Sequence, residues 1–155
     1  MPTVAIALGS NLGNREANLR TAISHIVTLG EIIAVSTFHD TAPVGYLDQP
    51  RFLNAALLLS TQLPPLQLLQ SLLAVEHSMG RDRANTPAKG PRIIDLDLIL
   101  YDSLTLETPE LTLPHPAMRD RAFVLAPLAE IAPDLLDPVT GNTIAALLQL
   151  LPGCN

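Results

Sequence analysis

Cysteine, tryptophan and charge are all scarce in this chain. Only 15% of its 155 residues are Asp, Glu, Lys or Arg, against about 25% in ordinary domains. The single cysteine, Cys154, excludes an intramolecular disulfide and a cysteine-rich metal centre, and it fits a reducing cytoplasm. Tryptophan is absent, and three Phe and two Tyr are the whole aromatic supply, so a stacking site has to draw on those few rings. Long hydrophobic runs are missing as well. The apolar stretches are broken by polar residues or proline well short of the ~18 residues that a spanning helix needs, so no membrane role is expected. The N-terminal stretch has no basic segment and only five consecutive apolar residues, 4–8, which does not make a secretory leader. Positive charge is the sign in deficit. The net charge of −6 argues against broad nucleic-acid binding.

Apolar residues are what the chain has in quantity: 48% of it is hydrophobic, which excludes disorder. The length predicts one domain spanning 1–155, able to bury roughly 70% of its unfolded surface without staples. Residues 4–8 read as a buried strand. Leu19, Ala22, Ile23, Ile26 and Val27 recur at the spacing of an amphipathic helix, predicting a helix over 14–29 that stops at Gly30. Residues 32–39 read as a second strand, 40–51 as a loop, and 52–61 as a third strand. Pro64-Pro65 opens a second helix, striped by Leu66, Leu69, Leu72, Leu73 and Met79 and ended by Gly80. A long loop over 81–92 and a fourth strand over 93–101 follow. This order predicts an α+β, ferredoxin-like βαββαβ sandwich, with helices on one face of an antiparallel sheet. A C-terminal hairpin (104–106 with 111–113) and short helices over 122–131, interrupted at Pro127, and 143–151 complete the expectation.

The chemistry concentrates around the fourth strand. Asp95 and Asp97 are two apart, so they share a face, with Cα atoms roughly 6.5–7 Å apart. Two carboxylates on one face of an apolar strand resist desolvation. Either they meet water at an exposed strand end, or one of them is protonated, or a cation lies between them. Mg²⁺ takes one or two carboxylates together with substrate phosphates. Four of the nine cations, Arg81, Arg83, Lys89 and Arg92, fall in one short segment. Arg119 and Arg121 flank another, beside His115. These clusters are either solvated loops or the holders of a small anion, and beside an Asp pair they make the parts of a phosphoryl-transfer site. Residues 9–13, Gly-Ser-Asn-Leu-Gly, lack the Walker and dinucleotide patterns and read as a tight strand-to-helix turn. Glu76, at the margin of the second helix's apolar stripe, is either an edge residue or part of the site. His77 has no second ligand at metal spacing, so no zinc site is expected. Two functional classes fit these residues: a Mg²⁺-dependent nucleotidyl or phosphoryl transferase, and a non-catalytic small-molecule sensor. A sensor has no need of paired carboxylates opposite several cations.

An ordered set of motifs narrows the choice. Residues 7–13 (ALGSNLG), Asp48-Gln49-Pro50, 52–55 (FLNA), Glu76, Gly80-Arg81-Asp82-Arg83, 90–97 (GPRIIDLD), Leu113-Pro114-His115-Pro116, 121–125 (RAFVL) and Pro127-Leu128 together resemble the 6-hydroxymethyl-7,8-dihydropterin pyrophosphokinases of folate biosynthesis, over essentially the whole chain. The resemblance implies transfer of the pyrophosphoryl group of ATP to the pterin hydroxymethyl oxygen, with release of AMP. It implies that Asp95 and Asp97 bind two Mg²⁺, and that Asn54 reads the pterin edge. Phe52 and Phe123 would sandwich the pterin ring, beside Thr41, Ala42 and Val44. Arg81, Arg83, Lys89, Arg92, His115 and Arg121 would hold phosphates, with Arg81 and Arg92 catalytic. Leu69, Glu76, Leu98 and Thr112 would lie on the ATP side. ATP and the pterin are the expected partners of a cytoplasmic monomer. The loop over 81–92 is expected to close over nucleotide. An Ala88-Lys89 pair stands where the family often has Arg-Trp, so Lys89 offers only a point charge there.

Overall fold

The computed structural model describes residues 1–43, 48–80 and 92–152. Its centre is strand β1 (Thr3–Ser10), which pairs antiparallel with β4 (Phe52–Ser60) on one side and β5 (Asp95–Tyr101) on the other. β2 (Glu31–Val35) and the short β3 (His39–Thr41) both pair with β4, giving the order β2-β4-β1-β5. Helices α1 (Arg15–Ile26) and α2 (Pro65–Ser78) make the two crossovers. This is the ferredoxin-like topology that the element order implied.

The sheet owes its two unlike faces to β1. Val4, Ile6 and Leu8 point to one side and join Leu19, Ala22 and Ile26 of α1 and Leu68, Leu72 and Val75 of α2 in the larger core. The alternate positions, Ala5, Ala7 and Gly9, are small. Beside Ala5, a second core forms with Ala56, Leu58, Ile99 and Leu100 under α3 (Ala122–Ile131) and α4 (Ile144–Gln149). Helices therefore cover both faces. The βαββαβ part puts α1 and α2 on one face as expected, and the C-terminal segment closes the other. Between them, β6 (Leu106–Glu107) pairs with β7 (Thr112–Leu113), the expected hairpin.

Four local expectations need correction. The strand expected over 32–39 is broken after Val35. The Ser36 hydroxyl accepts from the Ala56 N–H at 2.9 Å, and the Thr37 N–H and hydroxyl both turn to Glu130 at 2.6 Å. Pairing resumes as β3 and takes in Asp40 and Thr41, which had read as loop. The last long strand starts at Asp95, not at residue 93, because the Arg92 backbone is engaged by Asn11. On α2 the buried residues are Leu68, Leu72, Val75 and Glu76, while Leu66 and Leu73 are 43% and 38% exposed. Five leucines between 66 and 73 offer two competing stripes, and the one aligned with Val75 is the one that packs. Finally, α3 runs unbroken through Pro127. An interior proline costs about 3 kcal/mol, and burial of Val124, Leu125 and Leu128, at ~1.5–3 kcal/mol each, outweighs it.

The C-terminal segment is fastened by one buried charge. Asp137, fully buried, accepts from Arg119 Nε and Nη2 at 2.6 and 2.9 Å, from Thr140 Oγ1 at 2.8 Å and from Val139 N at 3.0 Å. Burial pushes its pKa up, but the bonds from Arg119, Thr140 and Val139 prevail and hold the carboxyl at about 2, below its ordinary 3.8. A depressed carboxylate stabilises the fold above the unfolded-state pKa. That contribution fades as pH falls from about 4 towards 2. Asp137→Ala leaves Arg119 without its carboxylate and should cost about 3 kcal/mol. Urea melts at pH 7 should show the loss, and it should shrink when both proteins are melted at pH 2.5.

Candidate active site

A cleft lies over the small residues of β1, on the α3 side of the sheet. Gly9 pairs with Asn54 of β4 on one side and Asp95 of β5 on the other, and Ala7 pairs likewise with Ala56 and Asp97. Residues directly opposite across strands share a face. Asn54, Asp95 and Asp97 therefore rise from one floor, with the amide and the carboxylates two strand spacings, about 10 Å, apart. Large side chains on β1 would fill this trough. At Gly9 a Cβ would stand 3.0 Å from Asn54 Oδ1 and 3.8 Å from Phe52 Cδ1.

The walls are aromatic and cationic. Phe52 opens β4 and Phe123 lies in the first turn of α3, and both line the cleft with Thr41 and Ala42. Asn54 is buried, and its Nδ2 donates to Thr41 Oγ1. That bond fixes which way the amide faces. Arg92 Cζ sits 5.9 Å from the Phe52 ring centre, and Arg121 Cζ sits 5.5 Å from that of Phe123. Each guanidinium is thus within cation–π range of one ring. Arg92 Nη1 also reaches Asp95 Oδ2 at 3.2 Å. The result is a pocket in which two rings, each with a guanidinium beside it, stand in one cleft with an amide and two carboxylates. It suits a flat heterocycle beside a polyphosphate.

His115 lies near two of these charged groups, Arg121 and Asp95. Its backbone N donates to Ile99 O at 2.9 Å, which ties it to β5, and its Nδ1 accepts from Ala117 N at 3.1 Å. Nδ1 therefore carries no proton in the neutral ring, and Nε2–H is the available donor. Burial, then the charge of Arg121, lowers its pKa below 6.5, with Asp95 opposing them. The ring should be neutral at pH 7, with the Nε2–H tautomer predominant. ¹⁵N chemical shifts of the imidazole check this, and an imidazolium persisting above pH 6.5 would contradict it.

The structure brings Thr41, Ala42, Phe52, Asn54, Arg92, Asp95, Asp97, Arg121 and Phe123 to one cleft. Other candidates lie elsewhere. Glu76 is 2% exposed, and its Oε2 accepts the Leu96 N–H at 2.7 Å, joining α2 to β5. Leu98 is buried in the larger core, and Leu69 packs against it. Thr112 is on β7, paired with Glu107. Val44, Arg81, Arg83, Lys89 and the expected closing loop, up to residue 91, lie outside the described residues. Arg119, grouped with Arg121 by sequence, is committed to Asp137. Sequence reasoning missed Ala7 and Gly9 as the floor. The signal was available: every outward β1 residue from Ala5 to Gly9 is small. It also missed Asn11, 2% exposed and bonded to Gln49, Pro50 and Arg92.

The chain is similar to known proteins of one family. Residues 5–133 match the family model described as 7,8-dihydro-6-hydroxymethylpterin-pyrophosphokinase. A 2-amino-4-hydroxy-6-hydroxymethyldihydropteridine pyrophosphokinase of Bacillus subtilis is 46% identical over 128 residues, covering 81% of this chain and 75% of that protein. One from Methylorubrum extorquens is 42% identical over 153 residues, covering 97% and 94%. The folic acid synthesis protein fol1 of Schizosaccharomyces pombe is 38% identical over 149 residues, which are 95% of this chain but only 20% of that longer protein. Among solved structures, the Plasmodium falciparum HPPK-DHPS with pteroate superposes with a TM-score of 0.75 at 17% identity, over 94% of this chain and 41% of that one. That likeness is one of fold.

Proposed function

This chain belongs to the 7,8-dihydro-6-hydroxymethylpterin-pyrophosphokinase family, and on that premise we propose that its cleft transfers the pyrophosphoryl group of ATP to 6-hydroxymethyl-7,8-dihydropterin. The observation that carries the reading is the single cleft that gathers Asn54, Phe52 and Phe123 with Asp95, Asp97, Arg92 and Arg121. Two substrates laid along it would meet over Ala7 and Gly9. The pterin hydroxymethyl oxygen attacks the β-phosphorus of ATP, the bond from that phosphorus to the α-β bridging oxygen breaks, AMP leaves, and the hydroxyl proton passes to solvent.

The pterin ring lies between Phe52 and Phe123, where stacking orients it, while Asn54 offers an amide donor and acceptor to its polar edge. Arg92 and Arg121 neutralise phosphate oxygens, and His115 donates Nε2–H to another. Arg81, Arg83 and Lys89 add charge from the 81–92 segment. Val44 completes the pterin pocket. No cluster of three or more acidic, His or Cys ligands occurs among the described residues, and a same-face Asp pair fits Mg²⁺, which fills its remaining positions with water and phosphate oxygens. Asp95 and Asp97 would hold two such ions. Magnesium supplies charge neutralisation on the phosphates and orientation of the acceptor hydroxyl.

The reading includes a cytoplasmic monomer with no nucleic-acid role, the last of these supported by the net charge of −6. Among the described residues no helix is long and apolar enough to cross a membrane. Incubation with ATP, Mg²⁺ and the hydroxymethyl dihydropterin should yield AMP in equal amount to pyrophosphorylated pterin. Formation of ADP instead would assign an ordinary kinase, and no nucleotide product would remove the reading.

A further inference from the structure

Asn11 stands one residue past β1 and takes no part in the cleft's lining, yet it is among the most completely bonded side chains in the molecule. It is 2% exposed. Its Oδ1 accepts from Arg92 N at 2.8 Å and its backbone N donates to Arg92 O at 3.1 Å. Both Nδ2 hydrogens are used as well, on Gln49 Oε1 at 2.8 Å and Pro50 O at 3.1 Å. One amide thus grips two pieces of chain that are 42 residues apart by number. Pro50 leads within two residues into Phe52 and within four into Asn54. Arg92 leads within three into Asp95. The grip closes a ring, because Arg92 Cζ reaches back over Phe52 at 5.9 Å.

We propose that Asn11 is a positioning residue for the transfer, fixing the nucleotide end of the cleft against the pterin end. The inference rests on the pyrophosphokinase reading. An amide is suited to the task. It presents a fixed acceptor and two fixed donors in one plane, and in a buried site each lost bond leaves a polar group without its partner. Removing the side chain frees Arg92 and the 49–50 segment to drift relative to each other. Neither substrate loses a direct contact. What is lost is their mutual alignment, and a misplacement of about 1 Å can cost 10²-fold in rate.

The test separates alignment from folding and from binding. Asn11→Ala should lower kcat by at least about tenfold, while KM for ATP and for the pterin changes much less. The dissociation constant of a non-hydrolysable ATP analogue, measured alone by calorimetry, should stay within about threefold of the wild type. Asn11→Asp keeps the acceptor for Arg92 N but cannot donate to Pro50 O, so its rate should fall between the two. Gln49→Glu still offers an oxygen to Asn11 Nδ2 and should stay near wild type, whereas Gln49→Leu should lose rate. If Asn11→Ala does not fold, the Gln49 pair carries the test by the same kcat comparison. Unchanged kcat, or analogue binding weakened in proportion to kcat, overturns the proposal. A wild type that binds the pterin and ATP but releases no AMP overturns the pyrophosphokinase reading instead.

Discussion

Replacing Asp97 by Asn should lower AMP formation by about a thousandfold or more and leave the chain folded. The side chain keeps its shape and loses its charge, so the effect isolates electrostatics. A bound divalent ion contributes several kcal/mol of charge stabilisation in transfer reactions, and about 4 kcal/mol corresponds to a thousandfold in rate. Asp97 shares its face of β5 with Asp95, so the substitution also removes a like-charge repulsion. Asp95→Asn should lose turnover to a similar degree. Asp95 pairs with Arg92 at 3.2 Å, where the side chains are 22% and 12% exposed, and breaking that pair should lower the melting temperature slightly. Rates should be compared across Mg²⁺ concentration, with circular dichroism melts alongside. Near-normal turnover in either folded variant would mean that these carboxylates do not serve the metal.

The setting of the two aspartates was only half legible in the sequence. Period-two alternation places Asp95 and Asp97 on one face, and that is how the strand folds. Which cation answers them was not legible, because Arg92 reaches Asp95 through a turn whose geometry depends on Asn11, far away in number. The same division runs through the fold. Strand and helix order follow from apolar spacing, which is local. The break between β2 and β3 depends on Glu130 of α3, a partner no local window contains. The Leu-rich α2 shows a related limit, since its stripe was ambiguous by period and was settled by packing. Arg119 and Arg121 read alike as cations. Asp137 claims one, and the cleft takes the other. Charge clustering finds an anion site's neighbourhood, and long-range pairing decides its members.

Asn54→Ala should weaken pterin binding by about 1–3 kcal/mol, or roughly five- to 150-fold, the usual consequence of leaving a buried polar edge unpaired. ATP-analogue affinity should hardly move, because Asn54 stands two strands from the carboxylates. The amide's position has two supports, and each offers a milder version of the same experiment. Thr41 Oγ1 accepts from Asn54 Nδ2, so Thr41→Val keeps the volume but frees the amide to turn. Gly9 supports it from below by having no side chain. A Cβ there would meet Asn54 Oδ1 at 3.0 Å, closer than a relaxed contact, so Gly9→Ala must push the amide aside by a few tenths of an ångström. The side chain is held at its far end by Thr41, so it cannot yield without loosening that bond. Both variants should therefore weaken the pterin in the same direction as Asn54→Ala and by less. Pterin fluorescence titrations beside calorimetry with the ATP analogue check the series. Equal losses for both ligands in Asn54→Ala would make Asn54 a structural residue, and a Gly9→Ala protein with unaltered pterin affinity would show that the floor of the cleft has room to spare.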